Sequence, residues 1–400
     1  MRKRDFKVKG KILRTGILIV IREYLPSIGG SQIQASHLAR ALARRGLRVE
    51  VATARLRREW PRREVAEGVI VHRLPSPKIR LLGTLCYLLY LTLFIFKRRK
   101  DFQIIHAFMF KETAIVAAIL GKVLGKKVLV RPACAGSFGD VTFLRRKKQS
   151  GWLGQIYYTS AGLAQRLTDA FIAISREIKG ELSRFGIPQE KIHFIPSSIP
   201  IPKRLIPRDE ARRALSLSRF PIVLFVGRLS AQKGVKFLLS SWGEVLKEFP
   251  QAQLLILGDG AERERLLAQA KELSVAGSVE FKGEVKNVPI FLAAADIFVL
   301  PSLAEGMSAS LLEAMASGLA AIATRVSGSG EIITSGQNGM LVEPEDVQGL
   351  GQAIRGLLAD KALRERLSIA ARKTIQERFS LEGMVERHIK LYGELLSRRL

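Results

Sequence analysis

Ile222-Val223-Leu224-Phe225-Val226-Gly227-Arg228-Leu229-Ser230-Ala231-Gln232-Lys233-Gly234 is an apolar run of five followed by a glycine-bounded loop that carries two cations. Such a run, bounded by turn residues, reads as a strand buried on both faces of a parallel sheet. The amphipathic stretch after it, about 235–249, reads as a helix. Strand, loop and helix make one βα unit of an open α/β sheet.

Working outward, the pattern repeats. Downstream, apolar runs at 254–257, 279–282, 297–300, 320–324 and 340–342 read as strands. Helical stretches lie at about 262–273, 288–294 and 310–317, the last stopped by Gly318. The remainder is mostly helical. Upstream, Pro196, Pro200, Pro202 and Pro207 crowd twelve residues, 196–207, which cannot be helix and read as an interdomain linker. Before it, runs at 16–21, 47–52, 103–107, 127–130, 170–174 and 192–195 read as strands, with helices at about 32–45 and 114–124. Two βαβ series joined by a proline linker imply two doubly wound domains facing each other. The expected division is 1–200 and 201–380, with a last helix, about 381–400, packing back onto the first domain.

Composition narrows the function. The chain has 400 residues, 47% hydrophobic and 25% charged, a globular balance that excludes wholesale disorder. Two cysteines, Cys86 and Cys134, make no disulfide framework and fit a reducing compartment. Residues 1–200 hold 38 Lys+Arg and 13 Asp+Glu, hence +25; residues 201–400 hold 27 and 23, hence +4. A basic first half suits an anionic surface or a phosphorylated substrate. The basic start Met1-Arg2-Lys3-Arg4 is followed only by the short apolar run 17–21, so no secretory signal is expected. The uncharged stretch 81–96 is shorter than the roughly 20 residues of a spanning helix. It is flanked by Arg80 and Lys97-Arg98-Arg99-Lys100, and reads equally as a core helix or as one lying in a membrane interface. Aromatic residues, 7%, are not interleaved with the basic runs, which argues against stacking on nucleic-acid bases.

In an open α/β sheet the ligand crevice lies at the carboxyl ends of the strands, where helix N-termini point. Three loops there carry chemistry. Arg228, as a planar fork, and Lys233, as a point charge, can both reach one diphosphate. Gly258-Asp259-Gly260 permits a tight turn and close approach of a ligand. Pro301-Ser302-Leu303-Ala304-Glu305-Gly306-Met307-Ser308-Ala309-Ser310-Leu311-Leu312-Glu313 places one glutamate in the loop and a second inside the next helix. Backbone N–H groups at Gly306, Met307, Ser308 and Ala309 can hold phosphate, and Glu313 can accept two hydrogen bonds from a ribose diol.

These features together resemble the retaining glycosyltransferases of family 4, the group 1 type. Glu305 and Glu313, separated by seven residues, the Arg228/Lys233 loop and Gly258-Asp259-Gly260 carry the resemblance. So do Ala295-Asp296-Ile297-Phe298-Val299-Leu300-Pro301-Ser302, Gly336-Gln337-Asn338-Gly339-Met340-Leu341-Val342, and Gly29-Gly30 before the first helix. The resemblance implies the GT-B architecture: two facing Rossmann-like domains with a cleft between them. It implies that Arg228 and Lys233 bind the diphosphate of a nucleotide-sugar donor, Glu313 its ribose, and Glu305 the transferred sugar. Gly29 and Gly30 would approach the donor phosphate, and the backbone near Gly283 and Val285 would read the base. No cofactor and no divalent metal are implied; Arg228 and Lys233 supply the charge a metal would offer.

Three departures lie on the expected acceptor side. Relatives often carry a histidine in the loop after the strand at 127–130; here it reads Arg131-Pro132-Ala133-Cys134-Ala135-Gly136-Ser137-Phe138-Gly139-Asp140, and Gly136, Ser137 and Asp140 would shape that wall instead. Ile195-Pro196-Ser197-Ser198-Ile199-Pro200 replaces a common Ile-Pro-Asn-Gly-Val-Asp, and Gln103 replaces an acidic residue. His106 is a further acceptor-side candidate. The expectation is transfer of a sugar from a UDP- or GDP-sugar to a hydroxyl acceptor, lipid-linked or in the cell envelope, in the cytoplasm or on the cytoplasmic membrane face. The alternatives are a GT-B enzyme of other chemistry, epimerase-like, or a non-catalytic basic membrane-binding module with a relict donor pocket.

Overall fold

The computed structural model describes residues 6–8, 11–13, 15–27, 29–136, 139–218 and 220–397. Met1-Arg2-Lys3-Arg4 and Ser137 lie outside the described residues. The chain divides into two units, Met1–Ser198 with Leu381–Leu400, and Ile199–Ser380.

In the first unit, β1 (Phe6–Val8) and β2 (Lys11–Leu13) form an antiparallel ribbon. The main sheet is built from β3 (Gly16–Val20), β4 (Arg48–Arg55), β5 (Arg63–Ala66), β6 (Val69–Pro75), β7 (Ile104–Phe108), β8 (Lys127–Arg131), β9 (Ala170–Ala173) and β10 (Ile192–Phe194). Their order is β10-β9-β8-β7-β3-β4-β6-β5. All pairs are parallel except the edge hairpin β5–β6, so the sheet is mixed at one edge. The sequence reading leaves that hairpin unassigned, because β5 is only four residues, Arg63-Glu64-Val65-Ala66, with no apolar–polar alternation to mark it. The crossovers are α1 (Gly30–Arg44), α2 (Arg80–Lys97), α3 (Glu112–Val123), α4 (Asp140–Lys148), α5 (Trp152–Leu167) and α6 (Arg176–Arg184).

The second unit repeats the plan. After α7 (Arg208–Ala214), it holds β11 (Ile222–Val226), α8 (Val235–Glu248), β12 (Gln253–Leu257), α9 (Arg263–Glu272), β13 (Val279–Gly283), α10 (Val288–Ala294) and β14 (Ile297–Leu300). Then come α11 (Ala309–Ala316), β15 (Ala320–Thr324), α12 (Ser327–Ile332), β16 (Met340–Val342), α13 (Val347–Ala359) and α14 (Lys361–Arg378). The six strands are all parallel, ordered β13-β12-β11-β14-β15-β16. Every residue of β14 and β15 is buried, as two-sided helix cover requires.

The last helix, α15 (Leu381–Ser397), belongs to the first unit and packs on α1. The proline-rich stretch is not a loose tether. Ser197 and Ser198 are buried; Ser197 accepts from Arg131 at 2.7 Å, and the Ser198 backbone makes two hydrogen bonds to Gln34. Among the described residues no helix is long and apolar enough to cross a membrane.

Candidate donor site

Strand order reverses at β11, which lies between β12 and β14. A doubly wound sheet opens its ligand crevice at such a point, outside the carboxyl ends of the two strands. The loops there are 227–234 after β11 and 301–308 after β14, the two richest loops of the sequence.

They are laced together. The Leu303 N–H donates to the Gln232 carbonyl at 2.7 Å, and the Gln232 amide donates to the Ala304 carbonyl at 2.8 Å. Gly234 has φ of +64°, and a Cβ there would collide with the Pro301 carbonyl. Glycine is therefore demanded twice over, by backbone conformation and by the neighbouring loop. The Leu229 N–H donates to Asp259 in the loop after β12, and the Gly258 N–H donates to Gly283 at the end of β13. A Cβ on Gly258 would strike the Gly227 carbonyl. Gly258 thus has a packing role that accounts for it without a ligand. Val285 sits half-buried just beyond β13.

Arg228 projects from an exposed position, while Lys233 is largely buried. The sequence reading treats Lys233 and Glu305 as separate contacts, one to diphosphate and one to sugar; the structure pairs them directly. Lys233 Nζ lies 2.5 Å from Glu305 Oε1, and Ser302 Oγ donates to the same oxygen at 2.7 Å. Glu305 is only 6% exposed, so its charge is held by the pair rather than by water.

Residues 304–309 are buried, and α11 begins there. Ser308 caps the helix, accepting from the Leu311 N–H at 3.4 Å. Among the described residues no acceptor meets the N–H groups of Gly306, Met307 and Ser308. Buried donors of this kind call for a partner. Ala309 opens the helix itself. One turn on, Glu313 is half-buried and finds no donor among the described residues; burial alone pushes its carboxyl up to about 7.

In the first unit, order reverses at β3, beside β7. Gly29 ends the loop after β3 and Gly30 opens α1, whose start no side chain caps. Gly29 is extended, and a Cβ on Gly30 would meet open space, so packing does not require glycine at position 30.

The acceptor-side candidates need correction. His106 is fully buried in mid-strand, its Nδ1 2.8 Å from the Tyr392 hydroxyl of α15. Burial, then the neighbouring His388 and Arg131, push its pKa well down. It is a core residue and cannot meet a substrate. Asp140 is also buried; it takes the N–H groups of Phe110 and Ala133, both at 2.9 Å, and so ties two loops together. The Gly136 N–H already donates to Glu181 at 2.8 Å. Gln103 lies at the amino end of β7, where its side chain accepts from Gly16, so it stands away from the ligand end of the sheet. What the sequence reading missed was the tie between Lys233 and Glu305; their spacing of 72 residues gives no local signal.

The description "Glycosyl transferases group 1" matches residues 207–374, and "Glycosyl transferase 4-like domain" matches residues 29–197. The lipopolysaccharide core biosynthesis glycosyltransferase LpsE of Rhizobium meliloti is 34% identical over 171 residues, 43% of this chain and 49% of that protein. That match thus spans about half of its relative. The N-acetyl-alpha-D-glucosaminyl L-malate synthase of Bacillus anthracis is 26% identical over 383 residues, 93% of this chain and 95% of that protein. Among solved structures, Anabaena HepE in complex with UDP-glucose superposes with a TM-score of 0.78 at 19% identity, covering 95% of this chain and 99% of that one.

Proposed function

Because the chain belongs to the group 1 glycosyltransferases and has the GT-B fold, we propose that it moves a sugar from a nucleotide-diphosphate sugar to an acceptor hydroxyl with retained configuration. The observation that carries this is the run of buried, unmet N–H groups at Gly306, Met307 and Ser308, beside Lys233 at the strand-order reversal. Preorganised donors of this kind stabilise charge on a departing diphosphate. UDP-glucose bound to a fold-mate supports the donor class.

In this reading Arg228 and Lys233 hold the diphosphate, and Gly29 and Gly30 keep the uncapped start of α1 clear of side chains for a phosphate. Glu313 accepts the ribose hydroxyls, and the backbone near Gly283 and Val285 meets the base. Glu305, steadied by Ser302, orients Lys233 and the transferred sugar. Attack comes from the same face as departure: the acceptor oxygen bonds to the anomeric carbon as the carbon–oxygen bond to the diphosphate breaks. The acceptor proton passes to the diphosphate. No cofactor or divalent metal takes part. The acceptor is lipid-linked or part of an envelope glycan, met at the cytoplasmic face of an anionic membrane; the +25 of the first half supports this.

The test is thermal shift with UDP, GDP, ADP and their sugars. A ligand at 100 times its dissociation constant raises stability by about 2.7 kcal/mol. One nucleotide family is expected to do so in the wild type and to lose most of the effect in Arg228→Ala. No shift with any of them would sink the donor assignment. Turnover is expected to survive excess chelator; abolition by it would overturn the metal-free step.

A further inference from the structure

The helix α2 carries two apolar stripes on opposite sides. Gly83, Tyr87, Leu91 and Ile95 recur every four residues and are buried. Leu81, Leu85, Leu89, Leu93 and Phe96 follow the same period about half a turn away, and each is more than half exposed. An ordinary surface helix would be polar there. The stretch 81–96 is therefore core on one face, and apolar but exposed on the other.

The exposed stripe has neighbours. α2 packs on α3, and α3 packs on α5. Val123 at the end of α3 is 74% exposed. On α5, Trp152, Leu153 and Ile156 are each more than half exposed, and Trp152 reaches 72%. One layer of three adjacent helices thus presents large apolar side chains that no described residue covers. Soluble monomers rarely leave so many large apolar side chains open on neighbouring helices.

Charge around this layer has one sign. Lys78, Lys97, Arg99, Lys100 and Lys122 are exposed beside it, as are Arg145 through Lys148 on α4. Acidic residues between 68 and 168 number three, Asp101, Glu112 and Asp140. Asp101 is paired with Arg48 and Arg98, Glu112 with Arg22, and Asp140 is buried. An apolar face with a tryptophan, rimmed by cations and free of unpaired carboxylates, complements an anionic lipid surface, with its apolar interior and negative headgroups.

We propose that the outer face of α2, α3 and α5 lies in the headgroup region of an anionic phospholipid bilayer, with Leu85, Leu89, Leu93 and Trp152 inserted. This rests on the membrane element of the function proposed above and assigns it a surface. The cluster at 97–100 contributes only in part, since Arg98 is committed inward to Glu50.

The test is co-sedimentation with phosphatidylcholine vesicles, with and without phosphatidylglycerol. The wild type is expected to bind only the anionic vesicles, to release partly in high salt, and to blue-shift its tryptophan emission; Trp152→Phe is expected to remove that shift. Leu89→Gln/Leu93→Gln is expected to weaken binding at least roughly tenfold. Its unfolding midpoint and nucleotide-induced thermal shift are expected to stay unchanged, since these side chains face outward. Wild type that stays in the supernatant, equal binding to neutral vesicles, or a double variant that binds as tightly as wild type would each overturn the proposal. So would a wild-type dimer in sedimentation equilibrium that the double variant dissolves, since a second copy would then own the face. The nucleotide shift on the same samples reports the donor site separately, so failure at the membrane is not failure of the transferase reading.

Discussion

Lys233 and Glu305, proposed to hold the diphosphate and the transferred sugar, are paired directly, and that pairing changes what substitution is expected to show. Losing either Arg228 or Lys233 is expected to cost roughly 2–4 kcal/mol of transition-state stabilisation, read as kcat/KM. Lys233→Ala and Glu305→Ala are expected to be strongly non-additive, because each alone strands the other's buried charge. Additive losses would mean that the pair does not persist in the reacting enzyme. Glu313 behaves differently. Its carboxyl, raised to about 7 by burial, is protonated below that pH and then loses its capacity as a double acceptor. Donor KM is expected to fall as pH rises through about 7, and Glu313→Gln to abolish that dependence while raising KM throughout. A KM profile equally steep in the variant would refute the ribose role.

At the level of elements, the end of α2 is anchored by one buried carboxylate. Glu50 on β4 meets His72 at 2.8 Å, Arg48 at 2.7 Å and Arg98 at 2.8 Å. Burial pushes Glu50 up, but hydrogen bonds from His72 and Arg48 and the charge of Arg98 outweigh it and hold the carboxyl at about 2. Arg98→Gln is therefore expected to destabilise the fold by roughly 1–3 kcal/mol, since a buried acceptor loses a charged partner. Gln at Lys97, Arg99 and Lys100, which are exposed, is expected to cost under about 0.5 kcal/mol. Equal urea midpoints for the two sets would contradict the anchor. The helix α15 is held by a second buried cluster, His106, His388 and Tyr392, with ring centroids 5.6 Å apart between the two imidazoles.

For the molecule as a whole these buried groups fix the response to acid. Burial lowers His388 to about 4 from an ordinary 6.5. The unfolded chain then binds a proton that the folded one refuses, so stability is full above about 6.5 and is lost as pH falls towards 4. The loss is at most about 1.4 kcal/mol per pH unit for one imidazole. Glu50, depressed in the fold, adds a second loss as pH falls from 4.5 towards 2. Glu313, raised to about 7, acts in the opposite sense over this range, so the imidazole is read as a difference: the stability of the wild type relative to His388→Phe is expected to fall in urea titrations from pH 7 to 4, provided that variant folds. A wild-type-minus-variant difference that is flat or rises on acidification would show the His388 imidazole to be charged in the fold.

Read alone, the sequence determined the class of fold, because strands buried on both faces must be apolar throughout and each stops at a glycine or a polar loop. It also marked Arg228, Lys233 and Glu305, because loops at strand ends keep polar residues that packing does not demand, and Glu313 by its place inside the helix that follows. Pairing across 72 residues, as between Lys233 and Glu305, leaves no such trace. Nor does burial from a distance: His106 sits next to an apparent ligand end in sequence, yet α15, some 280 residues later, covers it. The same holds for α2, whose residues are apolar on both sides. Only packing against β6 and α3 decided which leucines face inward and which stay exposed, because hydrophobic burial is non-directional and the sheet, not the helix, selects the face.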